Sequence, residues 1–201
     1  MTSKTHTITG CGVSAIICTG FSMPLIPIVA GAFLGSLLPD IDHPKSSINQ
    51  RILIFKNKLA LQVTFLLLGV ASFLYGPTVL KMIGVFLVFT ALSAHRKFTH
   101  SLIGLFAFSG ICYSLIYFYN GNIKTIVIGL IIGYTVHIIS DCLSNHGIEL
   151  LYPFSDKHFA IPIVSTGGLS EAIFLIVIIA LIASVLKGLN FNINNIITFR
   201  N

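Results

Sequence analysis

The chain of 201 residues is 55% hydrophobic and only 9% charged, with a mean hydropathy of +0.94. Soluble domains carry about 25% charged residues, so a water-soluble core is excluded and the composition is that of an integral membrane protein. The net charge of +6 therefore marks membrane topology and contact with anionic head groups. Basic residues interleaved with aromatics, as nucleic-acid binding would need, are missing.

Apolar runs occupy 7–21, 24–38, 59–75, 77–94, 101–119, 123–140 and 171–187. The last five reach the ~17–25 residues of a spanning helix, and the first two have about fifteen each. Those two flank Phe21-Ser22-Met23-Pro24, with Pro27 following. They read either as short tilted spans or as a hairpin that enters and leaves on one side, and both options return the chain to the same face. Tyr75-Gly76-Pro77 and Tyr119-Asn120-Gly121-Asn122 make tight links. Gly31–Gly35 and Gly129–Gly133 have the GxxxG spacing that lets helices approach closely. The expectation is an all-α, polytopic membrane helix bundle of five to seven segments, one integral membrane domain over 1–201.

Two local features need a reading of their own. Ile8-Thr9-Gly10-Cys11 resembles a lipoprotein cleavage box, but only seven residues precede it. That leaves no room for a signal peptide's basic and apolar regions, so the N-terminus is read as mature. Cys11, Cys18, Cys112 and Cys142 show no CxxC spacing and are expected to be free thiols acting as small hydrophobes.

If the runs alternate, one face receives Lys4, Lys45, Arg51, Lys56, Lys58, Arg96, Lys97 and Lys157, which is eight of the twelve cations. The positive-inside rule makes that face cytoplasmic and puts the C-terminus, with Arg200, outside. All six acids and all seven histidines fall on or beside the same face. The rule does not predict this, because acids contribute little to it. A chemical site at the cytoplasmic end of the bundle does.

Four segments supply that site. In Pro39-Asp40-Ile41-Asp42-His43-Pro44 two carboxylates and an imidazole end an apolar run, a donor set suited to Zn²⁺, Mn²⁺ or Fe. Taken alone, the segment is equally a polar loop ending a helix. His95 closes one run and His100 opens the next, with Arg96 and Lys97 between. On one continuous helix these histidines would lie about 140° apart, so a turn must separate them if both face the bundle mouth. Otherwise Arg96 and Lys97 set topology and the histidines are interfacial. His137 and Asp141 stack one turn apart on a helix, as two ligands of one metal or as a ligand with its supporting carboxylate; the plain alternative is a His–Asp hydrogen bond. His6 opens the first run, and Glu171, after Gly167-Gly168-Leu169-Ser170, opens the last. Glu171 is read either as a charge complementing the helix dipole or as a general base. His146, Glu149, Asp156 and His158 are read as solvated or substrate-facing. No Ser-His-Asp arrangement, P-loop or dinucleotide fingerprint appears.

The stretches "LLPDIDHPKSSINQR" (37–51), "HRKFTHSL" (95–102), "GYTVHIISDCLSNHGIELLYPF" (133–154) and "GGLSE" (167–171), in this order and spacing, resemble the bacterial family of LexA-regulated, inner-membrane-associated metal-dependent hydrolases. The resemblance spans nearly the whole chain. It implies that Asp40, Asp42, His43, His95, His100, His137 and Asp141 form a polar metal site. His6 fits that family's near-terminal histidine and Glu171 a glutamate at the start of the last helix. Lys4 departs from the pattern, standing near a place where relatives often have an acid.

The function expected is a metal-dependent hydrolase of the bacterial inner membrane. A divalent ion, zinc first with manganese or iron as alternatives, would activate a water to attack a phosphoester or acyl group. Asp141 or Glu171 would be the base, Arg96 and Lys97 would steady an anionic substrate, and the partner is a membrane lipid or lipid-linked substrate rather than nucleic acid. The alternative is a non-enzymatic metal-ion transporter or metal-binding sensor. That reading would need polar groups continuing through the bundle, and the outer half of each run is almost wholly apolar.

Overall fold

In the computed structural model, which describes residues 1–50, 57–119 and 123–189, the chain folds as an all-α bundle. The cations Arg51, Lys56 and Arg200 and the Asn120–Asn122 link lie outside the described residues. Helix α1 covers Ser3–Phe21. It stops at Ser22, whose φ of 51° is left-handed, and Pro24 caps the start of α2, Leu25–Gly35. A 3₁₀ turn, Leu38–Asp42, follows with Pro39 in its first turn. Helices α3 (Lys58–Tyr75) and α4 (Thr78–Leu92) form a hairpin through Gly76-Pro77. A second 3₁₀ turn, Phe98–His100, leads into α5 (Leu102–Tyr119), then α6 (Lys124–Cys142). After an irregular segment comes α7 (Leu169–Gly188).

Among the described residues, five stretches are long and apolar enough to cross a membrane: Leu25–Asp42, α3, α5, α6 and α7, with α4 a shorter apolar helix. The first two runs thus become a 19-residue α1 and an α2 prolonged by its 3₁₀ turn. Helix α6 is the centre, with just over half of it buried against 6% of α7. It packs on α1, α2 and α5. The glycines explain how α2 and α6 come so close. A Cβ on Gly31 or Gly35 would strike the α6 backbone at Ile126 or Leu130, and one on Gly129 or Gly133 would strike α2 at Ile28 or Ala32. Both GxxxG stripes therefore face each other, and only glycine permits the contact. Tyr134 fills the α5–α6 seam, stacked on Phe108 at 4.5 Å. Helix α7 lies against α1 and exposes Ile173, Ile176, Val177 and Leu181, a surface that only lipid covers without cost. All four cysteines are free thiols.

The packing of the helices brings five of these elements together at one end. The start of α1, the turns at 38–42 and 98–100, the end of α6 and the start of α7 all meet there, and the cluster described next comes from them and from the link between α4 and the second turn, which carries His95 and Arg96. The segment between α6 and α7 folds over this end, held by the Ser144–Val164 and Ile148–Phe159 bridges.

Candidate metal centre

Helix α6 contributes His137 and, one turn on, Asp141, both buried. The His137 Nδ1–H donates to the Ser36 carbonyl at 2.7 Å. That bond fixes the tautomer and leaves Nε2 as a lone pair. The ring is held flat by His6 of α1, stacked at 3.7 Å.

A second relay fixes His100. The Thr99 hydroxyl donates to Asp42 Oδ2 at 3.1 Å, so its oxygen accepts from His100 Nδ1–H at 3.0 Å. His100 too then presents Nε2 as a lone pair. The Tyr134 hydroxyl pins this turn by donating to the Thr99 carbonyl at 2.6 Å. The two Nε2 atoms lie 3.3 Å apart. Two acceptors pointed at each other in a buried site repel unless a cation or a proton sits between them.

Two carboxylate oxygens complete the arrangement. Asp40 Oδ1 lies 3.5 Å from His100 Nε2 and 3.7 Å from His137 Nε2. Asp141 Oδ2 stands at the same two distances. The His–His edge is thus shared by two triangles with sides of 3.3, 3.5 and 3.7 Å. Donors on a tetrahedral ion with bonds of ~2.0–2.1 Å lie about 3.3–3.4 Å apart, so either triangle is close to one face of a coordination shell.

His6 extends the centre. It is 1% exposed, and neither ring nitrogen has a hydrogen-bond partner among the described residues. Its Nε2 is 3.2 Å from Asp141 Oδ1, and His6, His137 and Asp141 together can hold an ion. Asp141 Oδ1 also accepts from the Met1 amino group at 2.6 Å. On the other side, His95 Nδ1–H donates to Asp42 Oδ1 at 2.7 Å, and Asp42, His95 and His100 form a further group of ligand type. The residues present therefore fit a divalent ion: three buried or half-buried carboxylates, oriented imidazoles and an orphaned histidine converge on one space. Burial opposes a charge on His100, but the Asp40 hydrogen bond and the charges of Asp40, Asp42 and Asp141 outweigh it, holding its pKa above the ordinary value.

Three of the sequence-based candidates are engaged in other contacts. His43 joins none of these groups among the described residues; it tilts over His95 at 4.4 Å, and its Nδ1 accepts from the Lys45 N–H. Burial, and then the neighbouring His95, lower its pKa. Glu171 is not placed as a base. Its Oε1 accepts from Thr2 N, Thr2 Oγ1 and Thr5 Oγ1, and its Oε2 from Gly167 N, so it clamps α1 to the start of α7. Lys97 is engaged within the chain: it pairs with Glu149 at 2.9 Å and Asp156 at 3.2 Å, which raises its pKa. Glu149 is correspondingly buried rather than solvated, while His146 and His158 are exposed. Arg96 stays at the site, with φ of 68°, Nη1 donating to the Gly147 carbonyl and Nη2 3.8 Å from Asp141 Oδ2. Sequence reasoning missed Ser36, Thr99 and Tyr134, whose neutral groups orient the ligands. Ser36 acts through its backbone carbonyl and leaves no signal in the sequence, while Thr99 and Tyr134 are marked only by being polar within a few residues of His100 and His137.

A cavity of about 470 Å³ opens over the cluster, reaching Asp40, His95 and Arg96.

The chain is 31% identical over 140 residues to the inner membrane protein YdjM of Escherichia coli (strain K12), and equally to that of Shigella flexneri, covering 68% of this chain and 54% of each relative. It thus spans about half the length of those two proteins. It is also 31% identical over 182 residues to the uncharacterized protein YvsG of Bacillus subtilis (strain 168), covering 87% of this chain and 88% of that protein. No solved structure matches. The family model described as YdjM inner membrane protein matches residues 1–198, and with its apolar helices the chain is a multi-pass membrane protein that belongs to the YdjM inner membrane protein family.

Proposed function

We propose that this protein is a metal-dependent hydrolase working at the cytoplasmic interface of the membrane on a lipid or another phosphoester. The observation that carries the reading is the pair of His100 and His137 Nε2 lone pairs, 3.3 Å apart and flanked by Asp40 and Asp141. Hydrogen-bond relays to Ser36 and Asp42 orient both rings, as supporting partners do at metal sites. LexA control and a cytoplasm-facing site belong to the same proposal, the second supported by the eight cations on that face.

His100, His137, Asp40 and Asp141 hold the ion in this reading, with His6 beside them. A divalent ion there supplies Lewis acidity and lowers the pKa of a water it holds. The chain's own residues do the rest. Asp42 takes up the Nδ1–H of His95, which leaves Nε2 as the free nitrogen of a ring that lines the cavity, placed to accept a proton. Arg96 carries its charge to the same wall, where it neutralises the anion that forms as the ester is cleaved. Burial excludes bulk water from all but the cavity side.

The test is hydrolysis of phosphate-ester lipids by the detergent-purified, metal-loaded protein beside His95→Gln and His137→Ala. Expected is activity that chelation removes and metal restores, lost in His137→Ala and reduced about 10²–10⁴-fold in His95→Gln. Activity that survives both variants would belong to a contaminant and sink the reading.

A further inference from the structure

The cavity over the cluster has a wall that the hydrolytic chemistry does not use. Lys4, at the start of α1, and Lys45, after the first 3₁₀ turn, line it together with Arg96. Among the described residues neither lysine has a carboxylate within ion-pair distance, although Lys97 close by is doubly paired. Ser3 and Ser47 add hydroxyls, joined at 3.0 Å. Three cations and two hydroxyls around one opening match the oxygens of a phosphate group, with Arg96 able to engage two at once.

A second depression lies below. A groove of about 610 Å³ between α1 and α2 is lined by Cys11, Leu25, Val29, Ala30, Phe33 and Leu34. Lys4 and Cys11 are seven residues apart on α1, about 20° short of two full turns and ~10 Å along the axis. They therefore share one face of the helix. On α2, Leu34 of the groove is followed six residues on by Asp40 of the cavity. One helix pair thus presents an apolar groove at membrane depth that leads up to a cationic opening at its end.

We infer that Lys4, Lys45 and Arg96 bind the phosphate of a phosphate-bearing membrane lipid whose acyl chain lies in the α1–α2 groove. This deepens the proposed function and rests on its reading of the cavity as the substrate entrance. The phosphate could equally come from a soluble ester, and the groove is what selects the lipid. A soluble phosphate gains nothing from apolar walls, whereas each buried methylene of a chain adds about 0.8 kcal/mol.

The test measures binding to the full chain in detergent by calorimetry, with dihexanoyl phosphatidic acid, dihexanoyl phosphatidylcholine, glycerol phosphate and inorganic phosphate as probes. Wild-type protein should bind the phosphatidic acid at least about tenfold more tightly than the other three. Lys4→Ala/Lys45→Ala, at exposed positions, should weaken it about tenfold or more, the loss of two charge-assisted contacts. Ala30→Trp, also exposed, should fill the groove and weaken the phosphatidic acid while leaving inorganic phosphate unchanged. Binding within twofold of wild type in the lysine variant would overturn the phosphate assignment. Equal affinity for glycerol phosphate, or an Ala30→Trp without effect, would overturn the lipid. Metal content of the same samples separates this inference from the hydrolase reading: metal retained without lipid binding defeats only the former, and lipid binding without metal only the latter.

Discussion

Thr99→Val is the sharpest perturbation of the centre, because it removes a hydroxyl and keeps the volume. Thr99 is fully buried, touches no ion itself, and joins Asp42 Oδ2 at 3.1 Å to His100 Nδ1 at 3.0 Å. The variant leaves one carboxylate oxygen and one imidazole N–H without a partner, at about 1–3 kcal/mol each. It also frees His100 to adopt the tautomer whose Nε2 carries a proton. Losing a supporting partner of this kind lowers metal affinity by about 10–100-fold, which is ~1.4–2.7 kcal/mol. The assay is competition for Zn²⁺ against a chromophoric chelator, with Thr90→Val as control. Thr90 is also buried, but its hydroxyl donates only to the Phe86 carbonyl of its own helix, so the loss of that hydroxyl should leave affinity unchanged. A folded Thr99→Val protein that binds metal within twofold of wild type would refute the tautomer argument.

The other expectations follow from the same contacts. Glu171→Gln should lower the melting temperature, costing about 1–3 kcal/mol through the Thr2, Thr5 and Gly167 bonds, while metal content holds; metal lost at unchanged melting temperature would contradict the clamp. Gly35→Val should cost about 1–3 kcal/mol or more by overpacking against the Leu130 backbone and release metal as α2 leaves α6, whereas Gly110→Val, which meets only Met82 at 3.8 Å, should do neither. The raised pKa of His100 sets a pH sign. Metal-free protein has the stabilisation of the charged imidazole in full below 6.5 and loses it as pH rises through the higher native value, while metal binding needs the neutral ring. Melting temperatures of chelated protein should therefore fall, and those of loaded protein rise relative to them, on going alkaline; parallel curves would refute this.

Much of the fold was legible because an apolar chain leaves few other readings. The run at 59–75 is α3 to within one residue, and 101–119 and 123–140 became α5 and α6 with small shifts at their ends. The cluster was legible for a related reason: a histidine at 137 and acids at 40 and 141 are costly in apolar surroundings and stand out. What escaped depends on partners distant in sequence. Glu171 has local neighbours that suggest a dipole charge, but its oxygens are filled by Thr2 and Thr5, more than 160 residues away. Lys97 reads as a free cation until the segment after α6 brings Glu149 beside it. His43 carries the right chemistry and lines the cavity beside His95, but its Nδ1 is taken by the Lys45 N–H and it joins none of the ligand groups among the described residues. Thr99 is an ordinary polar residue in any sequence and position 36 contributes only a backbone carbonyl, so only the packed structure shows that they set two tautomers.

The central claim is that the facing imidazoles of His100 and His137 hold a metal ion. It is tested most directly by plasma mass spectrometry of the detergent-purified, untagged full chain beside a His100→Ala/His137→Ala variant. The account predicts near-stoichiometric metal in the wild type and its loss in the variant. No metal in either protein, even after reconstitution with Zn²⁺, Mn²⁺ and Fe²⁺, would contradict it.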